Sequence, residues 1–332
     1  MGRKQESYKY FFGGGTPSIL LPDQILKIFA CIRKNYPIDE NAEISLEANP
    51  GTINQDKLAA WKQAGINRLS IGLQSTDDRL LKILGRIHSF QQFEANYEMA
   101  RAYGFDNINI DLISSLPGQS LAGWSKSLNR VLALKPDHIS AYSLIIEEGT
   151  PFSKDEGILD SLPGEDTDRE IYDITKRILS DHGYDRYEIS NYALAGKECR
   201  HNIGYWDGSP YLGLGLGAAS YYKKARFSNV TDLKQYLKSP FIPFEKRPDY
   251  QEQTKAQEME DRMIFGLRMM KGVSSSQFED EFGISLEFIY GDVIKKYKQY
   301  GLLEEKEGRI RLTDQGIDVS NRIFEDFLQL PT

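Results

Sequence analysis

Phe11-Phe12-Gly13-Gly14-Gly15-Thr16-Pro17-Ser18 is the stretch of this 332-residue chain whose residue types point first to ligand chemistry. Three glycines remove Cβ atoms and allow positive φ, so a ligand can rest against bare backbone. A β-like run over residues 8–12 precedes them. A helix opening near Leu21-Pro22-Asp23 follows, and its first N–H groups suit an anionic or polar ligand. The loop has neither the G-x-G-x-x-G spacing nor the Lys of a P-loop. Alone, it fits a plain strand-to-helix turn as well as a binding loop. Glu47, Gln74, Asp111 and Ser143 add to it, because each stands at or just past the end of a β-like run. A second candidate is Cys199-Arg200-His201-Asn202-Ile203-Gly204-Tyr205-Trp206, where an imidazole precedes two aromatic residues. Unaided, His201 reads as an ordinary loop histidine.

The elements that must position these residues alternate. A helix around residues 23–35 carries Ile25, Leu26, Ile28 and Phe29 at helical spacing. Glu43-Ile44-Ser45-Leu46-Glu47 reads as a strand, and Asn54 as the cap of a helix bearing Leu58, Trp61 and Ala64. Strands are predicted over residues 68–73, 107–112 and 138–143, and helices over 77–84, 90–103 and 120–134. Five β-α steps argue for parallel strands covered by helices, either an open sheet or a (βα) barrel. Both architectures gather ligands at the carboxyl ends of their strands.

From residue 149 the pattern changes. Residues 158–166 read as a polar loop, 167–182 as a helix and 187–192 as a strand. A glycine-dense run, 213–220, follows. Residues 240–251, with Pro240, Pro243 and Pro248, suit a linker. Helices are expected over 252–270, 275–282 and 286–300. A hairpin over 302–304 and 309–312 and a helix capped by Thr313 complete a winged-helix-like pattern.

Charge excludes several classes of partner. Net charge is −7, and from residue 275 onward 7 Lys+Arg face 12 Asp+Glu, which argues against nucleic acid even for a winged-helix shape. No apolar run reaches the ~18 residues of a membrane span. Residues 1–6 contain no signal-peptide core, and Glu6 stands where myristoylation wants Ser or Thr. Cys31 and Cys199 are the only cysteines, so the expectation is a reduced, cytoplasmic protein without a disulfide framework.

Several short segments occur in an order that resembles the radical S-adenosylmethionine enzymes related to oxygen-independent coproporphyrinogen III oxidase. They are Gly13-Gly14-Gly15-Thr16-Pro17-Ser18, Glu47-Ala48-Asn49-Pro50, Ser70-Ile71-Gly72-Leu73-Gln74-Ser75, Gly85-Arg86-Ile87-His88, Asp111-Leu112-Ile113, Leu116-Pro117-Gly118-Gln119 and Glu148-Gly149-Thr150-Pro151. Residues 187–192 and 200–206, with Leu312-Thr313-Asp314-Gln315-Gly316 near the end, are similar to that family's haem chaperone branch. The resemblance implies an α/β fold: a partial (βα) barrel of the radical S-adenosylmethionine type over residues 1–190. It implies a β-containing extension with the His-Asn pair and linker over 191–250, and a helical, winged-helix-like domain over 251–332.

The same resemblance implies site residues. Gly14, Gly15, Thr16, Glu47, Gln74, Arg86 and Asp111 match positions that hold S-adenosylmethionine. His201 and Asn202 match the pair implicated in haem attachment, with His201 on the haem iron. Haem and haem-acceptor proteins are the implied partners. A porphyrinogen-oxidising radical enzyme and a cluster-free S-adenosylmethionine or haem binder are the other activities the motifs leave open. The family's [4Fe–4S] cluster is held by a C-x-x-x-C-x-x-C run ahead of the glycine loop. Twelve residues precede Gly13 here and none is cysteine, so the chain is expected to lack the first barrel strand and the cluster ligands. Ser115 stands where the family usually has glycine, and Ala219 where relatives often have histidine. More than a hundred residues separate His201 from the glycine loop, so the haem site is expected not to need the cluster.

Overall fold

The computed structural model describes residues 7–238 and 242–328. The readings made on residues 1–6 and on Pro240 lie outside the described residues. Two compact units divide the chain, Met1–His201 and Asn202–Thr332.

The first unit alternates β1 (Ser7–Phe12), α1 (Pro22–Asn35), β2 (Ile38–Ala48), α2 (Gln55–Ala64), β3 (Arg68–Gln74), α3 (Asp78–Ile83), α4 (Phe90–Ala102), β4 (Ile108–Ser114), α5 (Leu121–Ala133) and β5 (His138–Ser143). Asn54 caps α2 as the sequence predicts, accepting from the Lys57 N–H; Ser89 and Ser120 cap α4 and α5 in the same way, accepting from the Gln92 and Gly123 N–H groups. Then come α6 (Glu156–Asp160), α7 (Glu165–Asp181), β6 (Asp185–Glu188), β7 (Asn191–Ala193) and α8 (Arg200–Trp206).

The sheet order is β1-β2-β3-β4-β5-β7-β6, with β1 to β5 parallel and in sequence order. From β1 to β5 that order never reverses, so this part of the sheet winds progressively as a (βα) barrel does rather than doubly as an open sheet does, and the antiparallel pair β7-β6 ends it. It forms a partial barrel.

Two local readings are corrected. Residues 187–192 are two strands, not one: Glu188 accepts hydrogen bonds from the Ser190 N–H and the Asn191 amide, closing a turn between β6 and β7. The polar loop at 158–166 is entered by α6, which Asp155 caps through the Ile158 N–H.

Alternate strand residues separate two environments. On the helix side, Leu46, Ile71, Ile110 and Ile139 pack with Phe29, Trp61, Tyr97 and Trp124 in one buried core. Trp124 also donates to Thr175 Oγ1 at 2.7 Å, which ties α5 to α7. Truncating either Trp to Ala should cost about 3–5 kcal/mol. The opposite face is polar: Glu43, Ser45 and Glu47 on β2, Arg68 and Ser70 on β3, Asn109 and Asp111 on β4, His138 and Ser140 on β5.

The second unit holds β8 (Ala219–Tyr222), β9 (Ala225–Ser228), α9 (Leu233–Lys238) and β10 (Gln251–Glu252), with sheet order β10-β9-β8. After α10 (Lys255–Arg268) come β11 (Val273–Ser274), α11 (Ser275–Phe282), α12 (Leu286–Gln299), β12 (Leu303–Lys306) and β13 (Arg309–Leu312). The hairpin gains β11 as a third strand, in the order β11-β13-β12. Phe278, Tyr290 and Phe327 form an aromatic cluster beneath the helices. Thr313 caps as expected, but the final helix is two pieces, α13 (Asp314–Asp318) and α14 (Ser320–Glu325). They break at Val319, whose φ of −119° and ψ of 22° leave the helical range. Among the described residues, no helix is long and apolar enough to cross a membrane.

Candidate functional site

The glycine loop leaves β1 and crosses the carboxyl end of β2. Ser18, fully buried, accepts from the Asn49 N–H at 3.1 Å and from the Thr52 hydroxyl at 2.7 Å. The Asn49 amide donates to Thr16 Oγ1 at 3.3 Å. These bonds hold the loop against the strand end. Gly13 has to be glycine: a Cβ there would stand 2.5 Å from Phe11 Cε1 and 2.9 Å from the Glu47 carboxyl.

Between the loop and the next two strands is a cavity of about 180 Å³ lined by Gly15, Thr16, Pro17, Glu47, Ala48, Asn49, Ser70, Gly72, Gln74 and Asp111. Five residues expected from the resemblance, Gly15, Thr16, Glu47, Gln74 and Asp111, thus meet at one place. Gly14 adjoins it, its N–H bonded to the Glu47 carboxylate. Arg86 is not among the lining residues. It follows α3, and its charge acts on His88. Ser143, also read as a strand-end site residue, instead donates to Asp168 Oδ1 at 2.7 Å.

Gln74 enters by a backbone distortion. Its φ is +70°, and the β3–β4 register shifts between Gly72 and Gln74. A left-handed non-glycine residue costs about 1–3 kcal/mol and persists only where its surroundings hold it. A Cβ on Gly72 would meet the Gln74 amide nitrogen at 2.9 Å, so Gly72 leaves the room that this amide uses.

Two carboxylates give the cavity its electrostatics. Burial pushes the Glu47 pKa up, and the Asp111 charge pushes it further, while the Gly14 N–H partly offsets both. Burial also raises Asp111, against hydrogen bonds from Asn109, Ser70 and Ser140 and the field of Arg68. Asn109 Nδ2 donates to Asp111 Oδ1 at 2.7 Å, and Ser70 Oγ to Oδ2 at 3.0 Å. A cation entering here would relieve the repulsion between the two.

The polar network continues below the cavity. Asn109 uses its amide nitrogen on Ser70 and Asp111, so its oxygen accepts from His138 Nδ1 at 2.6 Å. His138 Nε2 is therefore the acceptor for the Tyr187 hydroxyl at 2.9 Å. Burial, then Arg68, holds His138 well below the usual imidazole range. Arg68 is 2% exposed, and its Nε has no hydrogen-bond partner among the described residues. Burial opposes its charge, but the fields of Cys199, Glu43, Tyr187 and Asp111 outweigh that and raise its pKa.

His201 is the second residue of the short helix α8. Its ring stacks on Phe11, with centroids 4.0 Å apart and planes 5° from parallel. Burial, then the charges of Lys9 and Arg68, lowers its pKa to about 4, so the imidazole is neutral at ordinary pH. Phe11 lies two residues before the first glycine of the loop, so β1 carries the imidazole's platform and leads into the loop whose Gly15, Thr16 and Pro17 line the cavity. Asn202 is half-buried on the same helix. Tyr205 packs edge-on against Tyr211, and the Arg268 guanidinium lies 4.4 Å over the Trp206 ring.

Sequence reasoning missed Phe11, Glu43, Asn49, Ser70 and Asn109 as site residues. The signal was present as period-two polar residues inside strands: Glu43-x-Ser45-x-Glu47, Arg68-x-Ser70, Asn109-x-Asp111 and His138-x-Ser140. Buried parallel strands ordinarily read as continuous apolar runs, so this alternation marks a polar lumen.

Comparison with known proteins agrees with this geometry. Residues 2–131 match the Radical SAM superfamily, and residues 253–319 match the HemN C-terminal domain. The "Heme chaperone HemW" of Lactococcus lactis subsp. lactis is 37% identical over 320 residues, covering 96% of this chain and 84% of that protein. That of Bacillus subtilis is 38% identical over 324 residues, with the same coverage. Escherichia coli coproporphyrinogen III oxidase (HemN), described as a radical SAM enzyme, superposes with a TM-score of 0.81 at 25% identity, covering 96% of this chain and 77% of that one. With its strand-end cavity, its imidazole-bearing α8 and relatives of this similarity over nearly its whole length, the chain belongs to the HemW family of radical SAM proteins.

Proposed function

We propose that this chain binds haem through His201, as the name of its relatives implies, and passes it to an acceptor protein. S-adenosylmethionine is the small molecule of the cavity at the strand ends. The observation that carries the haem reading is the state of His201: neutral, half-buried and seated flat on Phe11. A neutral imidazole is the ligating form, and haem iron takes a proximal histidine. Asn202 follows as the second member of the pair.

The cavity residues fit S-adenosylmethionine. When bound, that molecule supplies a sulfonium cation and the groups attached to it. Glu47 and Asp111 offer opposite charge to its cations. Gly15 offers open backbone, since a Cβ there would meet nothing within 4 Å. Gln74, Ser70 and Asn49 offer hydrogen bonds to hydroxyl and carboxylate groups. Arg86 remains a residue proposed from the family motif alone.

The residues do not fit the family's iron-sulfur cluster. Cys31 is exposed on α1 and Cys199 is buried against Glu43, and the chain has no third cysteine.

Haem titration followed by its Soret band tests the reading. His201→Ala should lose the imidazole-ligated spectrum and weaken binding at least tenfold, while His182→Ala, an exposed control, should match the parent. Parental affinity and spectrum in His201→Ala, with loss in His182→Ala or His88→Ala, would sink it.

A further inference from the structure

We infer that Glu43 is a positioning residue for the His201 imidazole: its carboxylate seats the backbone that carries the ring and so holds the ring on Phe11. This rests on the reading of His201 as the haem ligand. Glu43 is 7% exposed, on the polar face of β2. Its Oε2 accepts the Arg200 N–H at 3.0 Å, and its Oε1 accepts the His201 N–H at 3.2 Å. The Cys199 thiol lies 3.7 Å from the same Oε1, and the Ser45 hydroxyl donates to it at 3.2 Å.

The opening N–H groups of α8 have no partner within the helix, so a carboxylate from another strand closes them. Charge-assisted bonds of this kind are shorter and stronger than neutral ones. A second tie runs parallel, from Arg200 Nη1 to the Asn41 carbonyl at 2.9 Å. Thus β2 fixes where α8 begins, and β1 supplies Phe11 as the surface on which the ring lies. The other charged or titratable groups facing this seat are Lys9 on β1, Arg68 on β3, and Tyr187 on β6. Arg68 is buried beside Glu43, whose field helps to raise the Arg68 pKa.

Geometry of this kind is what a ligand side chain needs. A ring free to swing pays an ordering cost on binding iron, and a seated one does not. Glu43 touches neither iron nor porphyrin in this account; it acts through His201.

The test uses the full chain with Glu43→Gln, which keeps the shape but turns an amide N–H₂ toward backbone donors. Should that variant fail to fold, Glu43→Asp is measured in the same way. It keeps the charge beside Arg68 and withdraws the oxygens by one methylene. The first readout needs no haem. Protons over an aromatic face are shifted upfield, so the His201 ring protons, assigned by their absence in His201→Ala, report the stack on Phe11. The second is haem affinity of Glu43→Gln, His201→Ala and the double variant. Loss of the upfield shift is expected, with haem affinity down about tenfold in the single variant and no further loss in the His201→Ala background. A folded Glu43 variant that keeps the parental ring shift overturns the positioning role whatever haem does, as does an equal loss of affinity in both backgrounds. Parental haem binding by His201→Ala overturns instead the haem reading beneath it, and the ring shift alone then decides the seat.

Discussion

Phe11 is in face-to-face contact with His201 at 4.0 Å, and the edge of the same Phe11 ring leaves no room for a Cβ on Gly13. One aromatic ring therefore touches the imidazole on one side and the glycine loop on the other. Replacing it with Leu should keep strand β1 but remove the stack, worth about 0.5–1.5 kcal/mol. The expected outcome is a 2- to 10-fold loss of haem affinity by titration. Calorimetry should also find weaker S-adenosylmethionine binding, because the loop loses its support. Unchanged affinity for both ligands in Phe11→Leu would separate the two sites.

Asp111→Asn should discriminate by ligand charge. A sulfonium ligand loses an opposite charge, while the neutral thioether S-adenosylhomocysteine loses little, so the preference for the cation should fall about 5- to 10-fold. Because burial and the Asp111 charge raise the Glu47 pKa, cation affinity should begin to decline at a higher pH than an unperturbed Glu would give. Calorimetry with both ligands over a pH series checks this; a preference that survives in Asp111→Asn is incompatible with it.

His138 makes the fold sensitive to acid. Its folded pKa lies well below the unfolded value near 6.5, because burial and Arg68 oppose its charge. The stability it contributes is complete above pH 6.5. It is lost as pH falls below that value, where the unfolded chain takes up a proton the folded one refuses. The slope is about 1.4 kcal/mol per pH unit per such group. His88 and His201 are lowered too and add in the same direction. Urea midpoints should fall between pH 7 and pH 5, and His138→Gln, weaker at pH 8, should show a shallower decline. Parallel declines in parent and variant would contradict the assignment.

Ser115 is held in the left-handed region, at φ +57°, while its hydroxyl donates to Asp168, which also receives Ser143. Asp168, in the first turn of α7, thereby clasps the ends of β4 and β5. Ser115→Gly trades about 1 kcal/mol of strain for about 1 kcal/mol of hydrogen bond, so its melting temperature should stay near the parent's. Asp168→Ala should cost about 1–3 kcal/mol, since it strands the buried Ser115 hydroxyl, while the exposed Ser143 hydroxyl turns to water. Added to Ser115→Gly, it should cost less, because one donor is already gone. Additive losses in the melting temperatures would count against a shared clasp.

Much was legible in the chain. Hydrophobic spacing and capping residues such as Asn54 and Thr313 are local, so the β-α alternation follows from neighbours in sequence. The glycine loop and strand-end residues Glu47, Gln74 and Asp111 were legible because a parallel fold sends all its strand ends to one side. The turn between β6 and β7 was not, because Glu188 competes with the strand pattern through hydrogen bonds that only the folded hairpin shows. Nor was the absence of Arg86 from the cavity lining, since its place depends on how α3 ends.

The sequence by itself determined the order of elements, the apolar face of each and the family to which the chain belongs. Tertiary structure decided what the polar face does. Glu43 and His201 are 158 residues apart in the chain yet share a hydrogen bond. Phe11 meets His201 only because the curled sheet brings β1 and the start of α8 together. Local periodicity records which side of a strand is polar. Which polar groups become partners depends on sheet order, register and curvature, and those are set by packing across the whole unit rather than by any one segment.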